Sequence, residues 1–450
     1  MPLEGFPEWF DPERILRLAE RESGGEAEVY ATYSWRVAVD VKAGSVERAY
    51  RRAELAVGVR VAVDGRVGGA GGQASSMGDV EEIIRAAASI AKSSPRDPRW
   101  PGFNPTLGRG PEPPSVYDEE VATADASRLA GVLVEASKRV AEEGARVSEA
   151  SAHALTEHEV YINSHGGPLD SRGTSFLAYL EAVSGEGSYY DYVDSTSLEG
   201  ERLAELAPLI ARRAREAGEA RGLDEPLRGQ LLLEPREAGE LVSVLLEPAL
   251  SAEAVIERRS PLAGRLGERV LSEHLTIVDD PGLPGRPSSR CFDAEGHPAS
   301  RRVLFDSGIL KAYLHTYYTS RILGQGGGPG NAVRRSLWSR PVPGGSNLVV
   351  EPSKTKGGID DLIAEMERGV VATANIGMWM SRPESGRLTA TITHGYLVEG
   401  GSIVRPVKGV SLMADVYEIL GGGFIAASSQ RECRGGVCSP ALLVEGATLS

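Results

Sequence analysis

Beyond about residue 270 the chain never sustains a helical period for long. Short runs rich in Val, Ile, Leu and Thr fall at 276–278, 302–305, 309–318, 347–350, 370–374, 388–397, 402–407 and 441–445, and Gly- and Pro-rich joints separate them. Many short strands joined by turn chemistry bury their apolar side chains by curling. A largely antiparallel, barrel-like or strongly curved sheet is therefore expected, interrupted by a helix at 360–368. This region opens with an apolar strand at 230–234 and a helix from 237 to about 255.

The first 220 residues read differently. Helices are expected at 11–21, where Asp11 is the N-cap and Pro12 the first helical residue, and at 76–92, 125–143 and 199–217. Alternating strands are expected at 28–34, 36–42, 54–67, 146–154, 157–163 and 174–183, with a turn at Asp64-Gly65. Strands and helices do not alternate as a βαβ repeat, so the class is α+β: α/β layers on a mixed or antiparallel sheet, then the β-rich barrel-like part. With 450 residues the chain exceeds what one core organises, and two domains are expected, 1–220 and 221–450, meeting near 221–229. No repeat of 20–50 residues is visible.

A formal net charge of −14 disfavours nucleic acid as a partner, because phosphate binding needs a basic face. Arg301-Arg302 and Arg334-Arg335 are candidates for a local basic patch, and solvated surface arginine is the blander reading. No apolar run reaches the roughly 18 residues that span a bilayer. The opening MPLEGFPEWFDPERIL has neither the basic nor the apolar region of a secretory leader. The expectation is a cytoplasmic protein without a membrane partner. Cys291, Cys433 and Cys438 make no disulfide framework. The last two read as free or incidental thiols, with a tight disulfide or a thiolate pair as the alternatives.

Candidate chemistry is sparse. The glycine-dense stretch 324–330 is followed by no Lys-Ser/Thr pair to meet a phosphate, and reads as a surface loop. His158-Glu159 lacks a second histidine at ligand spacing and lies on an expected strand. No Gly-x-Ser-x-Gly elbow is present. Asp293 and Glu295 alternate, so on a strand both would face one side and could do acid–base work or bind a cation. The blander reading is that they cap turns and pair with Arg301 or Arg302.

In order along the chain, Thr276-Ile-Val-Asp-Asp280, Phe292-Asp-Ala-Glu-Gly296, Gly308-Ile-Leu-Lys-Ala-Tyr-Leu314, Gly330-Asn-Ala332 with Arg334, Ser346-Asn-Leu348, Gly369-Val-Val371, Gly401-Ser-Ile with Pro406-Val-Lys408, and Ser439-Pro-Ala-Leu-Leu-Val-Glu-Gly446 form a set. The set, over about 228–446, resembles the TldD/PmbA family, once called modulators of DNA gyrase. Val160-Tyr-Ile-Asn-Ser-His-Gly166 looks like that family's Asn-Ser-x-Gly turn. By this resemblance Asp293, Glu295, Gly296, Gly330, Asn331 and Arg334 are motif or peptide-groove residues.

The catalytic TldD branch carries His-Glu-x-x-x-His on a helix, whose histidines bind zinc and whose Glu is the general base. A cysteine near the C-terminus completes the site. Counted back without gaps from 276–280, the two His positions fall on Ser243 and Pro248 and the Glu position on Val244. None replaces imidazole or takes a proton. The resemblance therefore implies the TldE/PmbA-type branch: no catalytic or metal residue and no cofactor in this chain, with zinc expected only in a TldD-type partner. The implied role is the partner subunit of a heterodimeric zinc metallopeptidase acting on unfolded or short peptides, inactive alone, with a homodimer as the other assembly. The alternatives are an independent peptidase with a different site, built on Asp293, Glu295 and a histidine, or a non-enzymatic peptide-binding or scaffold protein.

Overall fold

The computed structural model describes residues 5–450; the first four residues of the segment read above against a leader lie outside them. The N-terminal sheet has six strands: β1 Glu26–Lys42, β2 Ser45–Val63, β3 Arg66–Gln73, β4 Arg146–Asn163, β5 Gly166–Ser184 and β6 Gly187–Ser195. Their order is β3-β2-β1-β4-β5-β6, antiparallel throughout. The segments expected as strand pairs at 28–34 and 36–42, and at 146–154 and 157–163, are single long strands. Neither gap holds a Gly or Pro to stop the ladder.

Alternation gives the sheet two different faces. On one, Val29, Ala31, Val57, Val59 and Val61 bury against Ile15, Ala19, Val80, Ile84 and Ala87 of helices Pro12–Ser23 and Met77–Ser93. Further along the same face, Ala150, Ala152, Phe176, Ala178 and Leu180 bury against Leu129, Leu133, Leu203 and Ile210 of helices Ala126–Glu142 and Gly200–Glu219. Caps fix these helices: Asp11 accepts from Arg14 N, and Ser76 with Asp79 closes a capping box. The other face, carrying Tyr30, Thr32, Glu157 and Glu159, has no helix among the described residues on it and walls a cleft.

The C-terminal part is a closed barrel. Strand β7, Leu227–Leu233, pairs in parallel with Arg368–Ile376 and antiparallel with Val437–Leu449. Arg368–Ile376 continues through Arg387–Glu399 and Val410–Asp415 back to Val437–Leu449, so five strands make a ring. Strands Leu348–Pro352, Leu275–Asp279, Arg302–Asp306 and Ile309–Leu310 extend the sheet outward from Val437–Leu449. The ring is closed by strands that sequence patterning missed or shortened. Val410–Asp415 is too short and mixed to stand out, and Val437–Leu449 extends well beyond 441–445.

Two expected elements are different here. The strand at 309–318 ends at Leu310, because Thr316 and Thr319 form a capping box that starts helix Tyr317–Leu323. The helix at 237–255 is broken into Pro235–Leu241, a π-helical turn Val242–Leu246, Glu247–Leu250 and Ala252–Ile256. Pro248 supplies the reason: it has no N–H for residue 244, and the wider turn lets Glu247 N reach Val242 O instead.

Buried charge joins the two sheets. Glu28 on β1 accepts from Arg60 (2.7 Å), from Arg334 (2.6 Å) and from the Tyr161 hydroxyl (2.7 Å). Arg213 pairs with Glu234, and Arg286 with Asp194. Among the described residues no helix is long and apolar enough to cross a membrane.

Candidate functional site

The scattered motifs converge on one loop hub behind the cleft. Asp279, ending its strand, accepts from Ser346 N and Oγ (both 2.7 Å) and from Asn331 Nδ2 (2.5 Å). Asp293 accepts from Glu295 N (2.9 Å) and His297 N (3.0 Å) with one oxygen and from Ala332 N (3.0 Å) with the other. Asp293 and Glu295 therefore do not sit on a strand with their carboxylates on one side: the Asp293 carboxylate folds the backbone into a turn around itself. Gly296 completes this turn at φ +70°, where a Cβ would stand 2.7 Å from the Tyr161 ring. Gly330 is also left-handed, at φ +119°. Arg301 pairs with Asp280 and Glu351, and Arg302 donates to Pro329 O, so neither pairs with Asp293 or Glu295. Arg334 spans the joint, donating to Ala294 O, Leu337 O and Glu28.

The cleft has a volume of 670 Å³ and lies between the open face of β1, β4 and β5 and the loops 286–294 and 333–338. Glu157 and Glu159, two residues apart on β4, make one wall acidic; Glu159 accepts from the hydroxyls of Tyr30 and Ser171, each at 2.5 Å. Arg290, Arg334 and Arg335 line the opposite side. Asp293 and Arg334 reach this cleft, whereas Glu295 lines a second cavity, and Gly296, Gly330 and Asn331 line neither. Burial pushes the Cys291 thiol in the cleft wall up to about 11, so it stays protonated at neutral pH and is no ready nucleophile.

The Pro235–Leu250 region reaches the cleft only through Glu247, which accepts from the N–H of the cleft-lining Gly345 at 2.9 Å. Residues five apart stand about 140° apart round an α-helix. The π turn absorbs one residue and restores Ser243 and Pro248 to a common side, and both are exposed. Val244 is half-buried against the barrel core. A hydroxyl, an isopropyl group and a proline ring at these positions do not fit zinc, which takes about three imidazole, thiolate or carboxylate ligands. Among the described residues no group of three or more His, Cys, Asp or Glu is placed to hold a metal.

Cys433 and Cys438 are not free: they form a disulfide. The hairpin register sets them directly opposite one another, with Cα atoms 4.0 Å apart. Val437, beside Cys438, packs on Gly239 of the helix, whereas the disulfide itself packs on the other side of the strand with Val278, Val349, Leu283 and Val303.

Residues 27–91, 112–218 and 228–450 match, in turn, domain 1, the central domain and the C-terminal domain of the PmbA/TldA metallopeptidases. The chain belongs to the PmbA/TldD family. A protein of Methanocaldococcus jannaschii is 28% identical over 440 residues, covering 97% of this chain and 99% of that protein. A metalloprotease of Methanothermobacter thermautotrophicus is 26% identical over 330 residues, covering 71% and 69%. The crystal structure of TldE from Thermococcus kodakarensis superposes with a TM-score of 0.86 at 25% identity, covering 97% of this chain and 99% of that one. What single-sequence reading missed in this PmbA/TldD-family chain is the second cavity and the Glu28–Arg60–Arg334 joint. Their residues lie far apart along the chain, and nothing in local pattern links Glu28 to Arg334.

Proposed function

We propose that this chain is a zinc-free, TldE/PmbA-like partner subunit of a TldD-type metallopeptidase that acts on unfolded or short peptides in the cytoplasm. The observation that carries this reading is the helical segment around Ser243, Val244 and Pro248, where the π turn brings Ser243 and Pro248 to a common exposed side but none of the three residues ligates zinc or takes a proton. Likeness to TldE along nearly the whole chain supports the same branch. The open sheet face and its acidic wall suit an extended peptide with basic side chains. Residues 45–55 of β2 pair with β1 on one side and with no described strand on the other, which leaves an edge to which a peptide or partner strand can add.

The test is co-expression with a His-Glu-x-x-x-His homologue from the same cell, followed by gel filtration and elemental analysis. The expected result is one heterodimer peak with about one zinc per pair, the metal remaining with the homologue after separation. Separate elution, or tightly held zinc on this chain, would overturn the reading.

A further inference from the structure

We propose that the second cavity is a binding site for a primary alkylammonium group, with Glu295 as its counter-charge. This site is separate from the cleft used above and does not depend on the partner reading. The cavity has a volume of 690 Å³ and lies on the far side of loop 334–340, between the β2–β3 hairpin, loop 94–100 and helix Ala252–Ile256. That volume falls within the range of small-molecule sites, roughly 300–1,000 Å³.

Charge accounting singles out one residue. Of the cations on the lining, Arg60 is paired with Glu28, Arg340 with Glu253 and Arg99 with Asp97. The remaining lining carboxylates are Glu257, paired with Arg259, and Glu295. Glu295 is 8% exposed and forms no ion pair with a described residue, Arg334 acting on it only as a nearby charge. One oxygen accepts from Tyr317 N at 2.6 Å, and no described residue donates to the other. A buried carboxylate with a free oxygen calls for a cation or a proton. Aromatic rings supply the rest of an ammonium site: Trp100 and Tyr318 stand with centroids 6.3 Å apart, and Trp338 is on the lining with them. Ring faces attract a partly desolvated cation. Tyr318 is fixed by donating to Asp97 at 2.6 Å.

The proton now fills the role that the ammonium would take. Burial, helped by Asp293 and Glu28 and opposed by Arg334 and the Tyr317 N–H, pushes Glu295 up to about 8. From the cavity side Asp97, Glu253 and Glu257 add negative charge, and Arg60, Arg99 and Arg340 oppose it. Glu295 is thus mostly neutral at pH 7. An arriving ammonium favours its ionised form and displaces the proton to solvent, so binding tightens as pH rises through about 8.

The probes are n-pentylamine and the peptide acetyl-Gly-Lys-Gly-amide, with acetyl-Gly-norleucine-Gly-amide as the uncharged control. Binding to the full chain is followed by tryptophan fluorescence and calorimetry. Saturable binding of n-pentylamine alone would assign the site to free amines, and binding of the lysine peptide would assign it to side chains. In either case the norleucine peptide is expected to bind at least about tenfold more weakly. About one proton should be released per site at pH 7, read from calorimetry in two buffers of different ionisation enthalpy. E295Q should weaken binding by about tenfold or more and abolish proton release. W100L, which leaves the carboxylate in place, should weaken binding while keeping the proton release. Equal binding of the lysine and norleucine peptides, no binding of either amine, or proton release unchanged in a folded E295Q chain would overturn the proposal.

Discussion

Replacing Arg334 with Ala is expected to cost about 3–5 kcal/mol of stability, the usual result of breaking a buried pair from one side. The Arg334 and Glu28 side chains are 3% and 2% exposed, and the Arg60 side chain 4%. Loss of Arg334 leaves Glu28 with one cation instead of two and frees the backbone carbonyls of Ala294 and Leu337. Arg335 next to it is exposed, so Arg335→Ala should change stability by no more than about 0.5 kcal/mol. Urea denaturation of both variants checks the contrast, and equal small losses would show that the joint does not hold the sheets. The pair also has a pH signature. Burial raises the Glu28 carboxyl, but Arg334 and Arg60 outweigh it and hold it below its ordinary 4.5. A lowered carboxyl contributes stability at neutral pH that is lost as pH falls through its folded value, so this contribution should fade below about 4.5. In Arg334→Ala that acid-dependent part should shrink.

Asp279→Ala is expected to be as damaging and to act on the cleft. It strands three buried donors at once: Ser346 N, Ser346 Oγ and Asn331 Nδ2. Each uncompensated donor costs about 1–3 kcal/mol, so a total near 4 kcal/mol is expected. The strand end and the turn at 345–346 meet there, and Gly345 and Ser346 line the cleft. Asp279→Asn, which keeps one acceptor oxygen, should lose less. Thermal melts of the two variants check the order, and an Asn variant as unstable as the Ala variant would contradict the hydrogen-bond account.

Much of the fold was legible because local chemistry agreed with it. Asp11-Pro12 begins a helix, Asp64-Gly65 turns the β2–β3 hairpin, and Asn163 accepts from His165 N in the β4–β5 turn. Barrel closure was not legible as pairing, because β7 meets Arg368–Ile376 and Val437–Leu449 across more than a hundred residues. The motifs at 276–280, 292–296, 330–334 and 346–348 mark a set of loops, and of the two readings open for Asp293 and Glu295 the structure has the turn for Asp293 but not the pairing with Arg301 or Arg302. Alternation alone cannot separate a strand from a carboxylate that collects backbone N–H groups. The Cys433–Cys438 pairing depended on hairpin register, which spacing does not supply.

The central claim is that this chain contributes to peptide hydrolysis only through another subunit. The most direct measurement is a titration of this chain into a fixed amount of the purified His-Glu-x-x-x-His homologue, with cleavage of an unstructured peptide as the readout. The expected result is no hydrolysis by this chain alone, a rate that climbs with added chain and levels off at a one-to-one ratio, and complete loss with a chelator. A homologue that cleaves equally fast at every ratio, or chelator-insensitive cleavage by this chain alone, would contradict it.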